Sequence, residues 1–164
     1  MRDALIEALG LKALPRAGWL RAGIEQPESV AAHSWGVAWL VTTLCPAHLN
    51  REKALVIALV HDLAEVRTGD ITPHDAILPA EKARMEREAF RSMVEPLPNA
   101  EDLLASFDAY GQSPEGRFVK CCDKLDMALQ ARVYAQDGVD TREFIHSALA
   151  SLDGALAELA GPPP

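Results

Sequence analysis

At 164 residues, the chain has the length of one domain, since domains cluster near roughly 100–150 residues. Hydrophobic residues make up 49% and charged residues 24%, a globular balance that excludes disorder over most of the length. Sixteen Lys and Arg against 24 Asp and Glu leave a formal net charge of −8, which excludes a coat for polymeric nucleic acid, although a local cation can still hold a small phosphate.

Hydrophobic spacing is helical almost throughout and runs of period two are scarce, so the expected fold class is all-α. A first helix is expected over residues 2–9, ended by Gly10, and a loop over the surface follows at 15–27. Ser29 is placed to N-cap a helix reaching about Leu44, with Pro46 just beyond its end. A central helix starts near Asn50, where residues 54–63 are apolar on every side, and Gly69 breaks it. A charged amphipathic helix is expected at 80–95, a shorter one at 100–110, a long one at 116–136 and a final one at 141–159. Residues 161–164, Gly-Pro-Pro-Pro, read as a mobile tail, leaving 1–160 as a single domain. No stretch approaches the roughly 20 apolar residues of a membrane-spanning helix. Asp3 and Glu7 disfavour a secretory signal, and Cys45 with the adjacent Cys121 and Cys122 makes a poor disulfide framework, so a cytoplasmic setting is expected.

Chemistry gathers where the central apolar run ends in His61-Asp62, followed by Glu65. His61 and Glu65 lie about one helical turn apart and Asp62 about 100° around, so three polar groups share one sector. Two carboxylates at the edge of a core repel and resist ionisation unless a cation or strong donors neutralise them. A divalent metal is a natural compensator; simple exposure at a helix terminus is the plain alternative. His33 shares a helix face with Val37, Leu40 and Leu44, where an imidazole needs a partner, as a ligand or as a satisfied core histidine. Asp123 sits in an apolar stretch and reads either as a ligand or as an ion-pair partner of Lys120 or Lys124. Asp126, one turn on, reads as solvent-facing.

His33, then His61-Asp62, then Asp123, on successive helices of an all-α chain, resemble the HD-domain metal-dependent phosphohydrolases. The segments Glu28-Ser-Val-Ala-Ala-His33-Ser, His61-Asp-Leu-Ala-Glu65-Val-Arg-Thr-Gly-Asp70-Ile and Asp123-Lys-Leu-Asp126, with Arg16-Ala-Gly-Trp19 upstream, are similar to the YfbR-type 5′-deoxynucleotidases over nearly the whole chain. The resemblance implies a helical bundle whose buried central helix carries the His-Asp pair. It also implies one divalent metal held by His33, His61, Asp62 and Asp123. Such mixed nitrogen and oxygen ligands suit Mn, Co, Fe, Ni or Zn, with Mg also open. Glu65 and Asp70 match the family's catalytic acids beside the metal, one serving the attacking water and the other the departing 5′-oxygen, in unassigned order. Arg16 matches its phosphate-contacting arginine.

Trp19 reads as a ring buried in the bundle rather than a base-stacking platform. Phe107-Asp-Ala-Tyr110 departs from relatives, which tend to carry a tryptophan and glutamates there. Met85, Met93 and Met127 read as core filler, and His48, His74 and His146 match no metal position and read as solvated. The activity implied is removal of the 5′-phosphate from (deoxy)nucleoside monophosphates by attack of a metal-bound water. A homodimer is expected, with a small nucleotide as partner and neither polymeric nucleic acid nor membrane. An HD hydrolase of another small phosphorylated metabolite is the alternative, followed by a non-catalytic metal-containing helical binding module.

Overall fold

Local capping chemistry sets the main helix starts in the computed structural model, which describes all 164 residues. Ser29 Oγ accepts the Ala32 N–H and opens α3 (Val30–Leu44), while Asn50 Oδ1 accepts the Lys53 N–H and opens α4 (Arg51–Val60). Ser113 Oγ accepts the Gly116 N–H, Pro114 takes the first helical position, and α8 runs over Pro114–Gln136. Around these lie α1 (Arg2–Ala8) with its 3-10 continuation (Leu9–Ala13), α2 (Ala17–Arg21), α5 (Glu65–Thr68), α6 (Pro79–Val94), α7 (Ala100–Ala109), α9 (Arg142–Leu149) and α10 (Gly154–Ala160). There is no strand; a single bridge pairs Pro15 with Ser29.

Helices α3, α4 and α8 enclose the innermost core, built from Val37, Val41, Ala54, Ile57, Val119 and Cys122. Burying each of the larger side chains stabilises the fold by about 1.5–3 kcal/mol. A second cluster joins the end of α4 to α6 and α7 through Val60, Ala64, Phe90 and Met93, with Phe90 stacked on Phe107 at 4.5 Å between centroids. A third seats α9 and α10 on α8, and Arg132 holds the chain end by donating to the Ala160 and Pro162 carbonyls. Met93 is buried and Met127 packs beneath α9, the filler role expected of them.

Four expectations need correction. The loop expected at 15–27 contains α2, because Trp19 is drawn into the core: its ring packs on Tyr134 and Phe144, and its indole N–H donates to Glu28 Oε1 at 2.9 Å. The central helix does not run unbroken to Gly69 but stops at Val60, and a turn over residues 61–64 leads into the short α5. Nor is it apolar-faced to the core all round, since Leu59 is exposed. The single helix expected at 141–159 is two, α9 and α10, divided near Leu152, which turns into the core.

Candidate active site

The turn after α4 positions the His-Asp pair. His61 closes α4, its N–H still bonded to the Ile57 carbonyl and its Nδ1 2.8 Å from the Ala58 carbonyl oxygen. A carbonyl only accepts, so Nδ1 carries the hydrogen and Nε2 keeps a free lone pair. His33, buried on α3, is held the same way, with Nδ1 2.7 Å from Asp126 Oδ2. Both Nε2 atoms point into one space and neither finds a hydrogen-bond partner. His61 Nε2 lies 3.2 Å and His33 Nε2 3.7 Å from Asp62 Oδ2, and Asp123 Oδ1 from α8 lies 3.2 Å from His33 Nε2. The ligand atoms of His33, His61 and Asp62 all fall within 4.8 Å of one another, and Asp123 joins them through His33. Two orphaned imidazole nitrogens facing two carboxylates form a donor set that fits a divalent transition metal.

The electrostatics of this cluster set burial against close opposite charges. Burial works against every charge in it, yet His61, His33 and Arg16 hold Asp62 well below the usual carboxylate range. For His33, burial and Arg16 oppose protonation, but the close Asp123 and Asp126 carboxylates outweigh them and raise its pKa to about 10. Glu65, buried at the start of α5 with Oε2 unpartnered, is pushed up to about 10 by burial first and then by the charges of Asp62 and Asp70.

The remaining expected residues converge from separate segments. Gly69 adopts φ 76°, a left-handed conformation suited to glycine, and turns the chain so that Asp70 Oδ2 accepts the Ala17 N–H at 2.7 Å. Arg16 is fixed by its own N–H, which donates to the Glu28 carbonyl beside the Pro15–Ser29 bridge. Its guanidinium reaches 3.8 Å from Asp62 and 3.9 Å from Asp70, and their charges, prevailing over burial, raise its pKa. Arg16, His61, Asp62, Glu65, Asp70 and Asp123 all line one cavity of about 510 Å³, inside the roughly 300–1,000 Å³ range of small-molecule sites.

Two residues of this site escape a reading of the sequence. Asp126 does not face solvent but hydrogen-bonds His33; its signals were its place in the Asp123-Lys-Leu-Asp126 segment and the three-residue spacing that puts both carboxylates on one face of α8. Tyr110, just past α7, donates to Asp123 Oδ2 at 2.6 Å and stacks on His61 with centroids 5.2 Å apart; no local pattern announces that contact. Glu28, His33 and Asp126 also lie close together, but Glu28 is engaged by Trp19 and the His33–Asp126 separation is a hydrogen bond. His48 and His146 are exposed, whereas His74 sits on the cavity rim with Nε2 2.8 Å from Glu143.

Residues 9–158, nearly the whole chain, match the HD domain family. The chain belongs to the HD domain family. The His61-Asp62 pair lies where α4 gives way to the turn before α5. Among curated HD-domain relatives, the chain is 43% identical over 133 residues to 5′-deoxynucleotidase hdd1 of Schizosaccharomyces pombe, which covers 76% of this chain and 67% of that one. It is 38% identical over 128 residues to 5′-deoxynucleotidase HDDC2 of Bos taurus, covering 76% of this chain and 62% of that one. The matched part thus spans about two thirds or less of the curated relatives. The fold superposes on the crystal structure of the PH0347 protein from Pyrococcus horikoshii OT3 with a TM-score of 0.81, at 33% identity, covering 97% of this chain and 93% of that one. No helix is long and apolar enough to cross a membrane.

Proposed function

We propose that this HD domain is a metal-dependent phosphohydrolase that removes the 5′-phosphate from (deoxy)nucleoside monophosphates. The observation that carries the reading is the convergence of two orphaned imidazole Nε2 atoms with the Asp62 and Asp123 carboxylates in a cavity that also holds Arg16. The names of the curated relatives support the same activity. A divalent cation held by His33, His61, Asp62 and Asp123 would supply Lewis acidity to the phosphate and the attacking water. The chain's own groups do the rest. Arg16, permanently charged, offers two N–H groups to phosphate oxygens that would otherwise face Asp62 and Asp70. Glu65 and Asp70 line the same cavity and take the proton transfers at the attacking water and the leaving 5′-oxygen. Lys82 and Glu86, paired at 3.4 Å on α6, line the same cavity.

The working unit is proposed to be a homodimer in the cytoplasm. Trp35 and Trp39, one turn apart on α3, are 71% and 57% exposed, and Leu59 on the neighbouring α4 is 64% exposed, apolar area suited to a second copy. Cys45, Cys121 and Cys122 are all free thiols, as suits a reducing compartment. The test of the activity is phosphate release from a panel of phosphomonoesters with added Mn²⁺ or Co²⁺. Release from deoxynucleoside 5′-monophosphates is expected, lost together with bound metal in Asp62→Asn; no release from any of them overturns the reading.

A further inference from the structure

His33 is gripped at both nitrogens by one helix. Asp123 and Asp126, three residues apart on α8, face it together, with Asp123 Oδ1 3.2 Å from Nε2 and Asp126 Oδ2 2.7 Å from Nδ1. The Asp126 carboxylate forms no ion pair with any lysine or arginine; its one charged neighbour at pairing distance is this imidazole. The opposite wall of the contact is Gly36, one turn along α3 from His33 and fully inside the helix. A Cβ at Gly36 would lie 2.1 Å from Asp126 Oδ1 and 2.9 Å from its Cγ. Gly36 does not have a positive φ, so its lack of a side chain serves space rather than backbone conformation. A glycine in a helix interior is unfavourable relative to alanine, so a buried one without a conformational need points to what it makes room for.

We propose that Asp126 is the positioning residue for His33: it accepts the Nδ1 hydrogen, which turns Nε2 toward Asp62 and Asp123, and Gly36 is the notch that admits its carboxylate. The proposal rests on the reading of His33 as a metal ligand. An imidazole that must present a lone pair from Nε2 needs its hydrogen at Nδ1, and a carboxylate acceptor there both selects that tautomer and makes Nε2 a stronger donor. His61 reaches the same end with a neutral acceptor, the Ala58 carbonyl. The carboxylate therefore makes His33 the more strongly donating of the two imidazoles. Asp126 touches neither substrate nor metal in this scheme and acts only through His33.

The test is calorimetric titration of the full-length, chelator-treated protein with Co²⁺, with folding of each variant checked by circular dichroism. Asp126→Ala is expected to weaken Co²⁺ binding by about 10- to 100-fold, and the isosteric Asp126→Asn, which keeps an acceptor but not the charge, by less. Gly36→Ala should weaken it comparably without altering any carboxylate. The double variant should be no worse than Asp126→Ala alone, because both changes remove one contact. Should Asp126→Ala fail to fold, Asp126→Asn carries the comparison. Wild-type Co²⁺ affinity in folded Asp126→Asn and Gly36→Ala, with binding lost in His33→Ala, overturns the positioning role and leaves the metal site standing. No binding to the wild type, or full binding to His33→Ala, overturns the ligand reading and this inference with it.

Discussion

The Tyr110 hydroxyl donates a 2.6 Å hydrogen bond to Asp123 Oδ2, so the carboxylate oxygen turned away from His33 is already occupied. Oδ1 is left as the oxygen facing the imidazole, and the Tyr110 ring, stacked on His61, braces a second member of the cluster. Replacing Tyr110 with Phe keeps the ring and removes the hydrogen bond. A hydrogen bond to a charged group contributes about 1.5–3 kcal/mol. Metal affinity is therefore expected to fall by about tenfold or more, and the chelated protein should also melt at a lower temperature, because the hydrogen bond is made in the fold itself. Calorimetry with Mn²⁺ checks this, and an unchanged affinity contradicts it.

Gly116 sets where Tyr110 sits. Its carbonyl accepts the Gly111 N–H, and a Cβ there would stand 1.7 Å from the Ala109 carbonyl oxygen, a backbone atom with no room to retreat. Gly116→Ala must push α8 away from the end of α7 and is expected to destabilise by about 1–3 kcal/mol or more, as overpacking does. Because the displaced segment carries Tyr110, phosphatase turnover should fall further than the lost stability explains. Denaturant unfolding and steady-state kinetics on the same preparation test both halves.

Glu65→Gln separates chemistry from structure. The side chain is buried and one oxygen is unpartnered, so the amide fits the same volume without leaving a charge. Metal content and fold should be retained, while turnover falls by about 10²–10⁴-fold, the usual contribution of a proton-transfer group. Full activity in this variant would remove Glu65 from the reaction; loss of metal would make it a structural support of the cluster.

The chelated protein should lose stability on the alkaline side. His33 has its pKa raised from 6.5 to about 10 in the fold, so its stabilising contribution is complete below about pH 6.5 and fades as pH rises toward about 10. Asp62 and Asp123 are depressed by the surrounding cations despite burial, so their contribution fades in acid, below their ordinary value of 3.8. Melting temperatures of EDTA-treated protein are expected to drop between about pH 6 and about pH 9, and Mn²⁺ should restore more at the higher pH, where it no longer competes with the imidazole proton. A flat profile across that range contradicts the assignment.

Periodicity and caps were enough to read an all-α bundle, and Ser29 and Asn50 start α3 and α4 where their side chains accept the expected N–H groups. Polar residues embedded in apolar helical runs marked His33, His61, Asp62 and Asp123 as needing compensation, and the resemblance to the HD-domain phosphohydrolases is what made them a ligand set. The break after Val60 was hidden, since nothing in Val60-His61-Asp62-Leu63 disfavours a helix; the turn belongs to the packing of Ala64 and Val60 against α6. Trp19 was rightly assigned to the core, but its segment forms a short helix only because Tyr134 and Phe144 lie there to receive the ring.

What the amino-acid order determined by itself was the helical periodicity, the starts of the major helices and the residue types able to hold a cation. Only the tertiary structure decided which nitrogen of His33 faces the cavity, because its acceptor, Asp126, arrives from a helix 93 residues away. The same holds for Tyr110 and Gly116, whose roles exist only where α7 and α8 meet. Hydrophobic pattern is carried by a single segment, whereas the His33–Asp126 hydrogen bond and the close approach of Gly116 to Ala109 each need two.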